Sequence, residues 1–187
     1  MSHTLAKPQQ HFIGNTVKVA LAVGLITLSA KVTVPFWPIP MTMQVAAILL
    51  VAGMGGLRLG AVSVGAYLAA GAAGLPVFSG TPEKGIGLAY MFGPTGGYLV
   101  GFLVAAILVG WATDRFGRRL GCLSMPLGLA VIYAFGVAWL AQFVPSGKVL
   151  ALGVTPFLLG DACKVALAAL LTAIAPTTIT RWVQGRD

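Results

Sequence analysis

From Val17 onward the chain reads as apolar runs separated by short breaks. The runs are continuous, as in LVAAILVG (103–110) and LALGVTPFLLG (150–160). A membrane β-barrel would instead alternate in segments of ~10 residues. Continuous runs near the ~20 residues that cross a bilayer predict helices. Six are expected: about Val17 to Val34, Thr42 to Gly55, Leu59 to Leu75, Met91 to Thr113, Leu120 to Val144, and Val154 to Ile174. Pro35, Pro38 and Pro40 stop the first run, and Gly74-Leu75-Pro76 stops the third, because proline removes a backbone donor and clashes with the preceding turn.

The second and third runs are separated only by Gly55-Gly56-Leu57-Arg58. Fused, they would form one helix of about 34 residues and leave an odd number of crossings. Basic residues decide the matter. With six crossings, one side holds Lys7, Lys18, Arg58, Arg115, Arg118, Arg119, Arg181 and Arg186, and the other holds Lys31, Lys84 and Lys148. The excess of Lys and Arg on cytoplasmic loops then puts both termini in the cytoplasm.

Composition agrees with this reading. The 187 residues are 58% hydrophobic and 9% charged, against about a quarter charged in soluble domains, and mean hydropathy is +0.93. Disorder and a disulfide scaffold are excluded. The expectation is a single all-α integral membrane domain: a cytoplasmic segment 1–16, a six-helix core 17–175 and a cytoplasmic tail 176–187. Lys7, Lys18 and Leu28-Ser29-Ala30 loosely resemble a signal peptide, but five further runs favour an uncleaved first helix. The net charge of +8 is topological: DRFGRR (114–119) is a short loop without interleaved aromatics, so no nucleic-acid partner is expected. Cys122 and Cys163 are expected to be reduced.

Catalytic signatures are missing. The sequence has no GxxxxGK[ST] phosphate loop, no HExxH and no clustered Cys/His metal set. His3 and His11 precede the first run, so no histidine in a span could activate a serine. An enzyme is not expected.

Asp161 and Lys164 stand inside the sixth run. Ionisable groups in a span face protein or a wet cavity, and the i,i+3 spacing puts both on one helical face. Counted from Val154, Asp161 lies roughly 8–10 Å and Lys164 roughly 12–15 Å below the outer side. They can form the floor of an outward-facing ligand pocket, or a self-neutralised pair that pins the helix to a neighbour. Phe36, Trp37, Phe78, Tyr90, Phe92, Tyr98 and Phe157 fall on the same side, either as pocket walls or as an interfacial aromatic belt. The segment 80–87 is a lid or a solvated connection. Gly97-xxx-Gly101 and Ala20-xxx-Gly24 are candidate close-packing faces. Lys18 and Lys31 bracket the first run and can snorkel.

VPFWPIPMTMQ (34–44), GLPVFSG (74–80), GLAYMFGPTGGYLVGF (87–102) and TPFLLGDACK (155–164), in that order, resemble the BioY family, the biotin-binding S components of energy-coupling factor (ECF) transporters. The resemblance spans about 15–175 and implies a six-helix S-component fold in the cytoplasmic membrane, capturing biotin from outside. It places Asp161 and Lys164 on the ligand, with Phe78, Lys84, Tyr90, Thr95 and Tyr98 as further candidates. It implies biotin as transported ligand with no cofactor. The implied partners are a transmembrane coupling subunit and cytoplasmic ATPases, with Ala20 and Gly24 facing the coupling subunit. Monomeric and homo-oligomeric forms are both open. An S component for another vitamin and a membrane scaffold are the competing readings.

Overall fold

The computed structural model describes residues 7–34, 41–83 and 85–185. Helices dominate: α1 (Lys7–Lys31), α2 (Gln44–Ala72), α3 (Gly87–Met91), α4 (Gly96–Phe116), α5 (Arg118–Gly121), α6 (Met125–Leu140), α7 (Val149–Gly153), α8 (Leu158–Ile174) and α9 (Thr177–Gln184). A two-residue antiparallel pairing joins β1 (Thr33–Val34) to β2 (Met41–Thr42), with Thr33 opposite Thr42 and Val34 opposite Met41.

The doubtful pair of runs resolves as a fold-back. Within α2, Gly56 adopts φ 73°, ψ −171°, a conformation open to glycine and closed to residues with a Cβ. Gln44 Nε2 then donates to the Tyr67 hydroxyl at 2.9 Å. In a straight helix those residues would stand about 35 Å apart, so 44–55 and 57–72 run back along one another. Asp114, near the end of α4, accepts from the Leu57 N–H at 2.9 Å and fixes the turn. A Cβ on Gly56 would collide with that carboxylate.

Other boundaries move. The first helix stops at Lys31 rather than Val34, because Thr33 and Val34 pair as a strand. The fourth run is broken: α3 ends at Met91 and α4 starts only at Gly96, across Gly93-Pro94. The fifth ends at Leu140, four residues short of Val144. The sixth starts late, at Leu158, and is preceded across a 42° bend by the short helices at Ser146–Gly153. The tail also carries α9, which the sequence reading left without structure.

α4 sits centrally between α2 and α6. Gly97 and Gly101 form its close-packing face: a Cβ on Gly101 would lie 2.8 Å from the Ile132 Cα. Ile48, Leu49, Val64, Val109, Met125 and Ile132 fill the core. Outward, Leu21, Leu28, Leu123, Leu127, Leu170 and Ile174 are exposed along the helices, the inside-out surface expected of a body solvated by lipid. Among the described residues, three helices are individually long and apolar enough to cross a membrane, or four when the bent pair is counted as one span. Cys122 and Cys163 are both free.

One end of the body gathers the basic loops. There the 55–58 turn meets α4 through Asp114, and Arg118 donates to the carbonyls of Ala175 and Ala173 at the end of α8. Gln184 of α9 donates to Met54 O at 3.2 Å. Lys18, expected to snorkel, is instead buried with its ammonium 5.3 Å from the Trp182 ring centroid. Lys31, at the opposite end, is likewise engaged: its ammonium donates to Phe78 O (2.7 Å), Thr81 O (3.0 Å) and Thr81 Oγ1 (2.8 Å). The 78–81 segment is thereby tied to α1.

Candidate ligand-binding site

At the end of the body away from the arginines lies a cavity of about 390 Å³, within the range of small-molecule sites. Its charged wall comes from α8. Because α8 begins at Leu158, Asp161 lies in its first turn, roughly 4.5 Å along the axis, rather than two turns below the start as counted from Val154. The positive end of the helix dipole favours a carboxylate there.

Asp161 and Lys164 are 4% and 6% exposed. The Lys164 ammonium donates to Asp161 Oδ1 at 2.6 Å and contacts Met41 Sδ at 3.5 Å. Tyr133 of α6 donates to Asp161 Oδ2 at 2.8 Å. The ion pair itself cannot fasten α8 to a neighbour, since both members belong to α8. Tyr133 and Met41 make the connections between elements. Each carboxylate oxygen keeps a second lone pair, and the ammonium keeps one N–H, so the group can both accept from and donate to a ligand.

The remaining walls are mainly apolar, with Leu99 and Phe102 from α4, Ile132 from α6, and Leu152 and Phe157 from the α7–α8 bend. Polar groups at Gln44, Ser79 and Thr95 interrupt them. Gln44 is held by Tyr67, and Tyr98 by its hydroxyl donating to Gly153 O at 2.7 Å. Trp139 Nε1 donates to Gly93 O at 2.9 Å, which fixes the turn ahead of α4.

Of the residues singled out in the sequence, Asp161, Lys164, Tyr90, Thr95 and Tyr98 all line this cavity. Phe78 does not. It is fully buried behind Tyr90, stacked on that ring at 4.9 Å and edge-on to Tyr67 at 5.4 Å. Lys84 lies outside the described residues, as do Phe36 and Trp37. Ala20 and Gly24 face outward on α1, remote from the cavity lining. The sequence reading missed Tyr133 and Gln44. Tyr133 had a signal: a lone phenol inside an apolar span needs a partner for its hydroxyl.

Comparison with known proteins follows the same lines. The BioY family model matches residues 2–181. A probable biotin transporter BioY of Pyrococcus horikoshii is 39% identical over 154 residues, covering 82% of this chain and 90% of that protein. The biotin transporter BioY of Thermotoga maritima is 36% identical over 157 residues, with 83% and 91% covered. In fold, the chain is similar to the crystal structure at 2.1 Å of the S-component for biotin from an ECF-type ABC transporter, with TM-score 0.75, 24% identity and 91% and 93% of the two chains covered. A family match over nearly the whole length, joined to these relatives, establishes that the chain belongs to the BioY family.

Proposed function

We propose that this chain is a biotin-capture and transport subunit, not an enzyme. The observation that carries the reading is the cavity whose charged wall is the buried Asp161–Lys164–Tyr133 group and whose other walls are mostly apolar. Biotin presents ureido N–H donors and a carbonyl at one end, a carboxylate at the other, and an apolar bicycle between. Asp161 accepts from a ureido N–H and Lys164 donates to a ligand oxygen, both as charge-assisted hydrogen bonds. Tyr90, Thr95 and Tyr98 shape the same chamber, Phe78 supports it from behind, and Lys84 is a further candidate contact. The names of the relatives, biotin transporter and S-component for biotin, agree with this chemistry.

The same reading places the chain in the cytoplasmic membrane with six crossings, the cavity opening outward and the arginine-rich end in the cytoplasm, as the distribution of Lys and Arg favours. It assigns the energy to an ECF module of a coupling subunit and ATPases. The docking face is α1, where Gly24 is exposed and a Cβ would meet nothing within 4 Å. Calorimetric titration of biotin into the purified chain tests the reading. Tight 1:1 binding is expected, and silence towards biotin with heat from another vitamin would move the chain to a different ligand. Silence towards both in folded protein would leave a scaffold.

A further inference from the structure

A second cavity, of about 770 Å³, opens at the arginine-rich end between α1, the 55–58 turn and α9. Its charged lining is cationic, with Lys18 from α1 and Arg58 from the turn; Asn15, Thr16 and Gln184 are its neutral polar residues. Lys18 is only 8% exposed, and a buried cation is costly without a partner. Its ammonium meets the Trp182 ring, and no carboxylate among the described residues lies within ion-pair distance of Lys18 or Arg58. Asp114 accepts from the Leu57 N–H without lining the cleft, Glu83 and Asp161 belong to the opposite end, and Asp187 lies outside the described residues. Lys18 therefore presents unspent N–H donors to the cleft.

The other wall is apolar and partly exposed. Leu59 and Val62 line it, Val62 is 50% exposed, and Trp182 is 44% exposed, a residue type suited to the headgroup level. Two cations without a carboxylate partner, beside exposed apolar side chains of a chain rich in apolar helices, match an amphiphile whose polar end is anionic.

We propose that this cleft binds the phosphate of an anionic phospholipid, with Lys18 and Arg58 on the phosphate and Leu59, Val62 and Trp182 along the glycerol and upper acyl chain. The lipid neutralises the buried lysine and joins α1, the turn and α9, which the protein itself links there through Gln184 to Met54 and through Lys18 to the Trp182 ring. The assignment is independent of the ligand of the other cavity.

The test is native mass spectrometry of the full chain in neutral detergent with equal phosphatidylglycerol and phosphatidylcholine. A basic group near an anionic surface contributes roughly fivefold, so retention of phosphatidylglycerol should exceed that of phosphatidylcholine by about 25-fold. Arg58→Gln, on an exposed turn, should cut the preference about fivefold, and Lys18→Gln with Arg58→Gln should abolish it. Equal retention of both lipids by the wild type, or an undiminished preference in Arg58→Gln, would overturn the proposal. A parallel arm adds inorganic phosphate. Displacement of phosphatidylglycerol at matched concentration would assign the cleft to a soluble anion and overturn the lipid reading. Persistence of the lipid supports it.

Discussion

Replacing Asp161 by Asn separates two roles that the ion pair could play. The carboxylate accepts from Lys164 at 2.6 Å and from Tyr133 at 2.8 Å. In the variant the ammonium is left buried without its counter-ion, and breaking a buried pair from one side costs about 3–5 kcal/mol of stability. Loss of one charge-assisted hydrogen bond to biotin is a separate term, about 1.5–3 kcal/mol, or roughly 10- to 150-fold in Kd. The double variant Asp161→Asn/Lys164→Met removes both charges, so the stability penalty should largely disappear, because a neutral pair of similar volume replaces an ion pair at little net cost. The affinity should not return. The assay is a double-mutant cycle, with melting temperature and calorimetric Kd measured on all four proteins. Recovery of wild-type affinity in the double variant would refute the reasoning, since neither charge would then contribute to the ligand.

Other perturbations probe the supports of the site. Tyr133→Phe removes one donor to Asp161 and should weaken biotin binding by about 1 kcal/mol, roughly fivefold, as read by calorimetry. Lys31→Met frees the 78–81 segment from three hydrogen bonds; hydrogen exchange there should rise and biotin should dissociate faster in stopped-flow. Gly56→Ala forces a Cβ into φ 73° and onto Asp114, so the yield of monodisperse protein should fall sharply, with a penalty of about 1–3 kcal/mol from the backbone alone. Ala20→Leu with Gly24→Leu should spare biotin binding in the purified chain and impair ATP-coupled uptake in cells carrying the ECF module. Loss of binding in that variant would mean that this face packs within the chain.

Sequence and structure part at identifiable places. The fold-back at Gly56 was legible because the positions of Arg58 and of Arg115–Arg119 leave one consistent topology, and Gln44–Tyr67 bears it out. Asp161 and Lys164 were legible because charge in an apolar run is rare and costly. Tyr133 was legible only as a phenol in need of a partner; which partner was not, since Asp161 lies 28 residues away and only the packing of α6 beside α8 joins them. Phe78 was placed on the ligand side because sequence shows an aromatic near the mouth but not which ring stands in front; Tyr90 does. Start points were misread where proline and glycine interrupt a run, at Gly93-Pro94 and at Val154–Phe157, since hydrophobicity continues through a bend that hydrogen bonds do not. The helix α9 is too short to cross a bilayer, so a reading built on long apolar runs passes over its Ile179, Trp182 and Val183, which stand at helical spacing.

The fold-back has one more consequence, in the vertical dimension. The arm 44–55 has 12 residues, a rod of about 18 Å, against a hydrocarbon core about 30 Å thick. A helix facing lipid could not stop so short, but residues 44–49 are all buried among other helices, where the surrounding protein, not the bilayer, sets the permitted length. The arm is about 12 Å, two helical turns, shorter than that core, and its Gln44 end lines the 390 Å³ chamber together with Val45, Met41 and Thr42. The short arm thus forms one wall of the chamber with its first turn. The turn at Gly56 sets the arm's length, so one added turn would push its Gln44 end about 5.4 Å further along the chamber wall.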